Sequence, residues 1–298
     1  MQRAAARAPS ALLPVLALLL NAFIWGVSWW PFRQLQHAGL HPLWSTCLLY
    51  AVALLGLLVW RPRAWQGMWR RPGLWWLLLA TGMTNVGFNW AVAIGDVVRV
   101  VLLFYLMPGW AVLLAWLVLG ERPTRASLLR LALALAGVLI VLWPADGMAS
   151  VTSLGFSVAD ALALFGGFSF ALTTVLLRRQ QHVPGSERMV AMFGGGVLMA
   201  GLAALVGGQF GVASALPAVH AGWASAIVAM GLLFFISNMG LQYGAARLSS
   251  SNSSIVMLTE IVFASVSSIA LGAATLSLRT LVGAALILLA SLLAARSD

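Results

Sequence analysis

Apolar residues fill this chain in ten long runs, separated by short segments rich in Pro, Gly or Arg. A helix that crosses the roughly 30 Å hydrocarbon core of a bilayer needs about 20 apolar residues. The first run has bulky aromatic residues and no small-residue cleavage site, so we expect a retained helix rather than a signal peptide. We predict ten transmembrane spans, at residues 12–33, 42–60, 73–94, 97–119, 125–143, 154–178, 188–207, 222–245, 249–271 and 278–295.

Composition also indicates a membrane protein. Of the 298 residues, 62% are hydrophobic and 8% are charged, and the mean hydropathy is +0.97. Soluble proteins carry about 25% charged residues. The net charge of +10 comes from arginine, since all 17 basic residues are Arg. They lie in short clusters between apolar runs and not along one stripe, so we expect a lipid bilayer and no nucleic acid as partner.

The distribution of arginine predicts the orientation of the chain. If the N-terminus is cytoplasmic, all of the 17 arginines except Arg33, Arg99 and Arg279 fall on the cytoplasmic side. Cytoplasmic loops of membrane proteins carry this excess of positive charge. We therefore expect a multi-pass protein of the bacterial inner membrane, with both termini in the cytoplasm.

The chain also contains an internal repeat. An offset of 152 residues aligns Pro108 in span 4 with Glu260 in span 9, and Gly120 with Gly272. Because five spans is an odd number, the two halves would cross the membrane in opposite directions. Inverted repeats are typical of secondary transporters, which bind substrate near the midplane between the halves. Channels and enzymes contain repeats too. We predict an all-α membrane protein of two inverted five-helix repeats, residues 1–148 and 149–298.

Two segments carry a resemblance to a known family. One is Asn21-Ala-Phe-Ile-Trp-Gly-Val-Ser-Trp-Trp in span 1. The other runs from Ala93-Ile-Gly-Asp-Val-Val-Arg-Val-Val-Leu-Leu-Phe-Tyr-Leu-Met-Pro-Gly-Trp to Leu119-Gly-Glu-Arg-Pro-Thr124. With the five-plus-five arrangement, they resemble the EamA family of the drug/metabolite transporter (DMT) superfamily, and the second segment is similar to YddG-type aromatic amino acid exporters. The resemblance implies a basket of helices around a central cavity lined by spans 1, 3, 4, 6, 8 and 9, with spans 5 and 10 peripheral.

Polar and aromatic residues recur within the spans at helical spacing. Thr81, Asn85 and Asn89 lie four residues apart, on one face of span 3. Amide side chains can bind both ends of a zwitterion, and aromatic rings can contact a planar substrate or a planar cation. The same polar groups could instead join helices by hydrogen bonds. The substrate-binding candidates are Asn21, Trp25, Ser28, Thr81, Asn85, Asn89, Tyr105, Phe234, Asn238, Gln242, Tyr243 and Ser253.

Two further residues are candidates for gating or proton coupling. Pro108 removes a backbone hydrogen bond within span 4 and predicts either a static kink or a gating hinge. Glu260 is the one carboxylate deep within a predicted span. It is either a proton carrier or a structural group, because ionisable residues inside a membrane usually face a cavity or a partner.

Enzyme signatures are missing from the sequence. There is no HExxH, GxSxG or P-loop motif, so we expect no enzyme activity, no cofactor and no metal. We expect a secondary transporter, favoured as a monomer, that exports small, aromatic amino acids or related metabolites and drugs by alternating access. The alternatives are a multidrug cation exporter of the same fold, an intramembrane lipid-modifying enzyme, and a channel or sensor.

Overall fold

A computed structural model describes residues 12–95, 97–143, 156–273 and 277–296, and the regular elements of that part are all helical. We number the helices after the ten predicted spans. In the first half they are α1 (Leu12–His37), α2 (Pro42–Trp60), α3 (Gly73–Ile94), α4a (Val97–Phe104), α4b (Met107–Leu114) and α5 (Arg125–Val141). In the second half they are α6 (Val158–Arg179), α7 (Gly185–Gln209), α8 (Ala221–Ala245), α9a (Ser250–Met257), α9b (Thr259–Ala270) and α10 (Leu278–Ala295).

Two smaller features complete the list of elements. A short helix, Gln66–Arg70, lies between α2 and α3. A π-helical stretch, Ala115–Leu119, continues directly from the end of α4b. The predicted boundary between the halves, at residues 148 and 149, lies outside the described residues.

Nine helical segments of the described residues are long and apolar enough to cross a membrane. They coincide with predicted spans 1 to 4 and 6 to 10, which confirms the prediction of an all-α membrane protein. The fifth helix, α5, has 17 residues, close to the lower limit for a crossing. The total of ten crossings therefore stays a prediction.

Helices α4 and α9 are both interrupted, and at equivalent positions. Leu106 precedes α4b with φ −71° and ψ −3°, and Leu258 precedes α9b with φ −62° and ψ −15°. In both turns the backbone N–H donates to the carbonyl three residues earlier, over 3.3 Å for Leu106 and 3.1 Å for Leu258. The offset of 152 that aligns spans 4 and 9 also aligns these two leucines. The interruption in α4 thus lies just before Pro108, which occupies the first turn of α4b, where proline is tolerated.

The ends of the two interrupted helices match as well. Gly120 follows α4b with φ 71°, and Gly272 follows α9b with φ 68°. Non-glycine residues rarely adopt this left-handed conformation, which is common at the C-terminal end of helices. The two glycines that align in the sequence therefore have the same backbone conformation.

The most extensive helix packing joins the two halves rather than neighbours within one half. Helix α3 packs on α6 and α7, α1 packs on α8 and α9b, α2 packs on α7 and α8, and α5 packs on α10. The two halves can be compared by exchanging each helix with its equivalent in the other half, α1 with α6, α2 with α7 and so on. The contact of α1 with α8 then becomes that of α6 with α3. The contact of α2 with α8 becomes that of α7 with α3. Such a pattern is expected of two related units that pack about a two-fold axis.

Close approach of α3 and α7 depends on glycine. A Cβ atom at Gly195 would overlap the carbonyl oxygen of Leu78, and one at Gly82 would lie 2.6 Å from the carbonyl oxygen of Gly195. Gly194, the preceding residue, has more room, since its nearest neighbour would be Leu78 Cδ1 at 3.7 Å. Small residues commonly bring membrane helices this close.

We expect Gly195→Ala to destabilise the protein by about 1–3 kcal/mol, because the added methyl group forces α3 and α7 apart. Gly194→Ala adds the same methyl group one residue earlier, in ordinary van der Waals contact, and should leave stability near that of the wild type. Thermal unfolding in detergent measures the difference. Equal losses from both substitutions would contradict the packing described here.

Candidate functional site

A central cavity of about 80 Å³ lies between the two halves, beside the interruptions of α4 and α9. Its lining residues come from α1, α2, α3, α4, α6, α7, α8 and α9, and neither α5 nor α10 contributes to it. The cavity is therefore enclosed by the helices that pack across the halves, and α5 and α10 pack against each other outside it.

Side-chain amides from three helices face the cavity. They are those of Asn21 on α1, Asn85 and Asn89 on α3, and Asn238 on α8. Asn89 is tethered to α2, because its Nδ2 donates to Thr46 Oγ1 over 2.9 Å. The sequence prediction selected all four asparagines, and the structure brings them to one cavity.

Two buried polar atoms at the cavity have no hydrogen-bond partner among the described residues. They are Oδ1 of Asn21 and Oγ1 of Thr81, in residues that are 1% and 5% exposed. The Nδ2 group of Asn21 is used, since it donates to the carbonyl oxygen and the hydroxyl of Ser237 over 2.9 and 2.6 Å. Buried polar atoms in folded proteins are almost always hydrogen bonded. These two atoms are therefore positioned to bind water or a ligand in the cavity.

Aromatic rings form two clusters on the cavity wall. In one, Trp25 packs edge-to-face on Phe234, with ring centroids 4.6 Å apart. In the other, Phe88 packs on Phe104 at 4.9 Å, and Phe104 contacts Tyr105 at 5.8 Å. Paired rings of this kind form a stiff apolar surface on which a third ring can pack.

One carboxylate, that of Glu260 on α9b, lines the cavity. Its neighbour is Tyr105, which lies in the interruption of α4. The contact joins the two interrupted helices across the boundary between the halves. A group that changed its protonation here would act directly on both interruptions.

Three predicted residues lie near the cavity but do not line it. Ser28 is buried, and its hydroxyl donates to the carbonyl oxygen of Trp25 over 2.7 Å. Ser253 is buried and does not reach the cavity. Pro108 is buried at the start of α4b, and its neighbour Met107 lines the cavity instead.

Gln242 and Tyr243, near the end of α8, also do not line the cavity, although Gln242 contacts the lining residue Asn238. Gln242 packs against the start of α7, where one amide orientation donates to the carbonyl oxygen of Gly185 over 3.1 Å and accepts from Met189 N–H over 3.2 Å. The ring of Tyr243 lies under the guanidinium of Arg247, 3.8 Å from the ring centroid. Both side chains are therefore engaged in contacts at the end of the helix.

Several lining residues were not selected from the sequence. Tyr50 and Met192 come from α2 and α7, two spans that were not expected at the cavity, and Met257 comes from α9a. Phe170 and Thr173 come from α6. Tyr50 is one of three tyrosines in the chain and lies inside an apolar run, which was an available signal. The methionines had no such signal, because apolar side chains within a span can equally face lipid.

Comparison with known proteins identifies the family. Residues 12–143 and 157–296 match the model of the EamA-like transporter family. The chain belongs to the EamA-like transporter family. It is therefore a membrane transporter, embedded in a lipid bilayer and acting on a small-molecule substrate, and the resemblance to the EamA family of the DMT superfamily is confirmed.

Two similar proteins add to this assignment. A protein of Vibrio cholerae described as an uncharacterized transporter is 31% identical over 153 residues, which cover 47% of this chain and 50% of that protein. The matched part thus spans about half the length of that relative. A solved crystal structure covers 94% of this chain and 96% of its own, with a TM-score of 0.74 and 19% identity, and supports the fold alone.

Two single-cysteine variants test which face of α6 borders the cavity. Both Thr173 and Thr174 are buried and donate to backbone carbonyl oxygens of α6, but Thr173 lines the cavity and Thr174 does not. In a Cys47→Ala background, we expect a small methanethiosulfonate reagent to modify Thr173→Cys faster than Thr174→Cys. The labelled fraction after timed exposure, read by mass spectrometry, gives both rates. Faster labelling at position 174 would place the cavity elsewhere.

Proposed function

We propose that this transporter exports aromatic amino acids or related small metabolites across the bacterial inner membrane. The observation that carries the proposal is the central cavity, in which unpaired polar atoms of Asn21 and Thr81 lie between two clusters of aromatic rings. Amide and hydroxyl groups can bind the ammonium and carboxylate of a zwitterion without adding net charge. Aromatic rings favour a substrate that carries a ring of its own.

Two mirrored halves support a mechanism of alternating access. The family model matches on both sides of residues 144–156, and the most extensive helix contacts across the halves recur when the halves are exchanged. Interrupted helices beside a central site are typical of transporters that rock one half against the other. The cavity of about 80 Å³ is smaller than the roughly 300–1,000 Å³ of pockets that hold a drug-sized ligand. Under this proposal it widens when substrate enters.

The proposed topology assigns one end of the bundle to the cytoplasm. Fourteen of the 17 arginines lie on one side if the chain starts in the cytoplasm and crosses ten times, which places both termini inside. The 17 residues of α5 are enough for the fifth crossing, because membrane helices range from about 17 to 25 residues. Export would then begin at the arginine-rich end of the bundle.

A planar organic cation is a second candidate substrate, because one observation favours it. The carboxylate of Glu260 lies at the same cavity as the aromatic rings. A carboxylate with aromatic faces nearby is a suitable site for a delocalised cation. This alternative predicts that the cation competes with the proton for Glu260.

Thr81→Val is the most direct test of substrate binding. The hydroxyl of Thr81 has no described partner, so its removal should not lower stability. If the hydroxyl binds substrate, counterflow of labelled phenylalanine in proteoliposomes should fall about three- to tenfold. Thr174→Val removes a hydroxyl that faces away from the cavity and should leave counterflow unchanged. Equal rates in the wild type and Thr81→Val would remove Thr81 from the site.

Glu260→Gln tests proton coupling. If Glu260 carries the coupled proton, a pH gradient should no longer drive accumulation, whereas exchange of substrate across the membrane should persist. Glu187→Gln, which removes a carboxylate paired with Arg71 outside the cavity, is the matched control. Accumulation that survives in Glu260→Gln would show that the proton moves elsewhere. Loss of cation binding with amino acid exchange unchanged would favour the second candidate substrate.

A further inference from the structure

A second cavity, of about 330 Å³, lies apart from the central one at the arginine-rich end of the bundle. It is bounded by α4b, by the start of α5 and by the start of α9a. None of its lining residues belongs to the central cavity. Its polar residues include Glu121, Arg122, Arg130, Ser251 and Asn252.

The charge of this pocket is positive. Arg122 is exposed at the edge of the pocket. Arg130 is half-buried and lies in the second turn of α5. None of the three ion pairs between described residues includes either arginine. The carboxylate in the lining, Glu121, faces Arg178 at 3.6 Å. The two arginine charges of the pocket are therefore not balanced within the described part of the chain.

Arg130 is the residue that most needs a partner. Its Nε is buried, and no described residue accepts a hydrogen bond from it. Arg130 lies five residues after Arg125, the first residue of α5, so its Cα is about 7.5 Å further along the helix axis. A cationic side chain below the ends of membrane helices is costly unless an anion or a carbonyl group pairs with it.

On α9a, the pocket is lined by two further polar side chains. The hydroxyl of Ser251 is buried and has no partner among the described residues. Asn252 is 2% exposed and lines the pocket beside it. Helices α5 and α9a both begin here, after the N-cap residues Thr124 and Ser249, so the positive ends of two helix dipoles add to the arginine charge. The pocket thus combines positive charge and hydroxyl donors, which suits a phosphate group.

We propose that this pocket binds a phosphate group, supplied by an anionic phospholipid or by a free phosphate in the cytoplasm. The position beside α5 favours the lipid, because Leu128 and Leu129 of that helix are 47% and 61% exposed and give acyl chains an apolar surface. Basic pockets between membrane helices are known to bind anionic headgroups. The proposal does not depend on what the transporter carries.

Binding of defined probes to the detergent-purified transporter tests the proposal. The probes are short-chain phosphatidylglycerol, short-chain phosphatidylcholine and inorganic phosphate, and the readout is the shift of the thermal unfolding midpoint with concentration. We expect phosphatidylglycerol or inorganic phosphate to bind, and Arg130→Gln to weaken that binding about tenfold or more. Ser251→Ala should weaken it about threefold. Phosphatidylcholine, whose phosphate is neutralised by its own ammonium group, should bind more weakly.

Arg125→Gln is the matched control, since it removes the same charge from the first residue of α5, outside the pocket lining. It should change binding by less than about twofold, as exposed charges contribute little. Arg130→Lys serves if Arg130→Gln does not fold, because it keeps the charge and loses the planar fork. The loss of binding in Arg130→Lys should be smaller than that in Arg130→Gln and larger than that in Arg125→Gln.

The probes separate the two sources. If phosphatidylglycerol binds saturably and in an Arg130-dependent way while inorganic phosphate does not, the ligand is the lipid. If inorganic phosphate binds saturably and in an Arg130-dependent way, the ligand is the free anion. Equal binding of phosphatidylglycerol and phosphatidylcholine without inorganic phosphate would overturn the proposal. So would equal effects of Arg125→Gln and the Arg130 variants. Substrate counterflow is measured in parallel, and its failure would count against the proposed function alone.

Discussion

A helix can be interrupted inside a bilayer only where the backbone groups that it exposes are satisfied away from lipid. Both interruptions of this transporter lie against other helices. At Leu106 and Leu258 the chain turns once with hydrogen bonds to the carbonyl three residues earlier, so the N–H groups remain paired. Pro108 has no N–H to donate to the carbonyl oxygen of Phe104. That oxygen lies against Gly167 of α6, where a Cβ atom would approach it to 2.5 Å.

The position of the central cavity follows from this constraint. Because the interruptions must be covered by protein, α4 and α9 have to lie among the other helices and not at the lipid-facing edge. Helices α3 and α6 pack on α4, and α1, α6 and α10 pack on α9. Helices α5 and α10, which are uninterrupted, pack on each other away from the cavity. Polar side chains on the surrounding helices consequently meet at the interruptions, and the cavity with Asn21, Asn85 and Asn238 results.

The sequence predicted the architecture better than the site, and the reason is physical. Spans and the equivalence of α4 and α9 are visible because apolar runs, Pro108 and the glycines at 120 and 272 have strong local preferences. Asparagines within apolar runs had to avoid lipid, so they could be assigned to the interior. Whether a buried polar group faces a cavity or a neighbouring helix depends on its partner, which no spacing reveals. Gln242 has helical spacing from Asn238 but lies against the start of α7.

The interruptions are equivalent in backbone but not in chemistry, and that difference matters for the proposed transport. Helices α4b and α9b each begin at the cavity, so each presents the positive end of a helix dipole. Glu260, in the first turn of α9b, offsets that charge, whereas the aligned residue of α4b is Pro108. With Glu260 ionised, the α9b side of the cavity is therefore the more negative one, because α4b carries no carboxylate at the aligned position. A zwitterion bound between them would direct its carboxylate towards α4b and its ammonium towards Glu260, although the two halves share one fold.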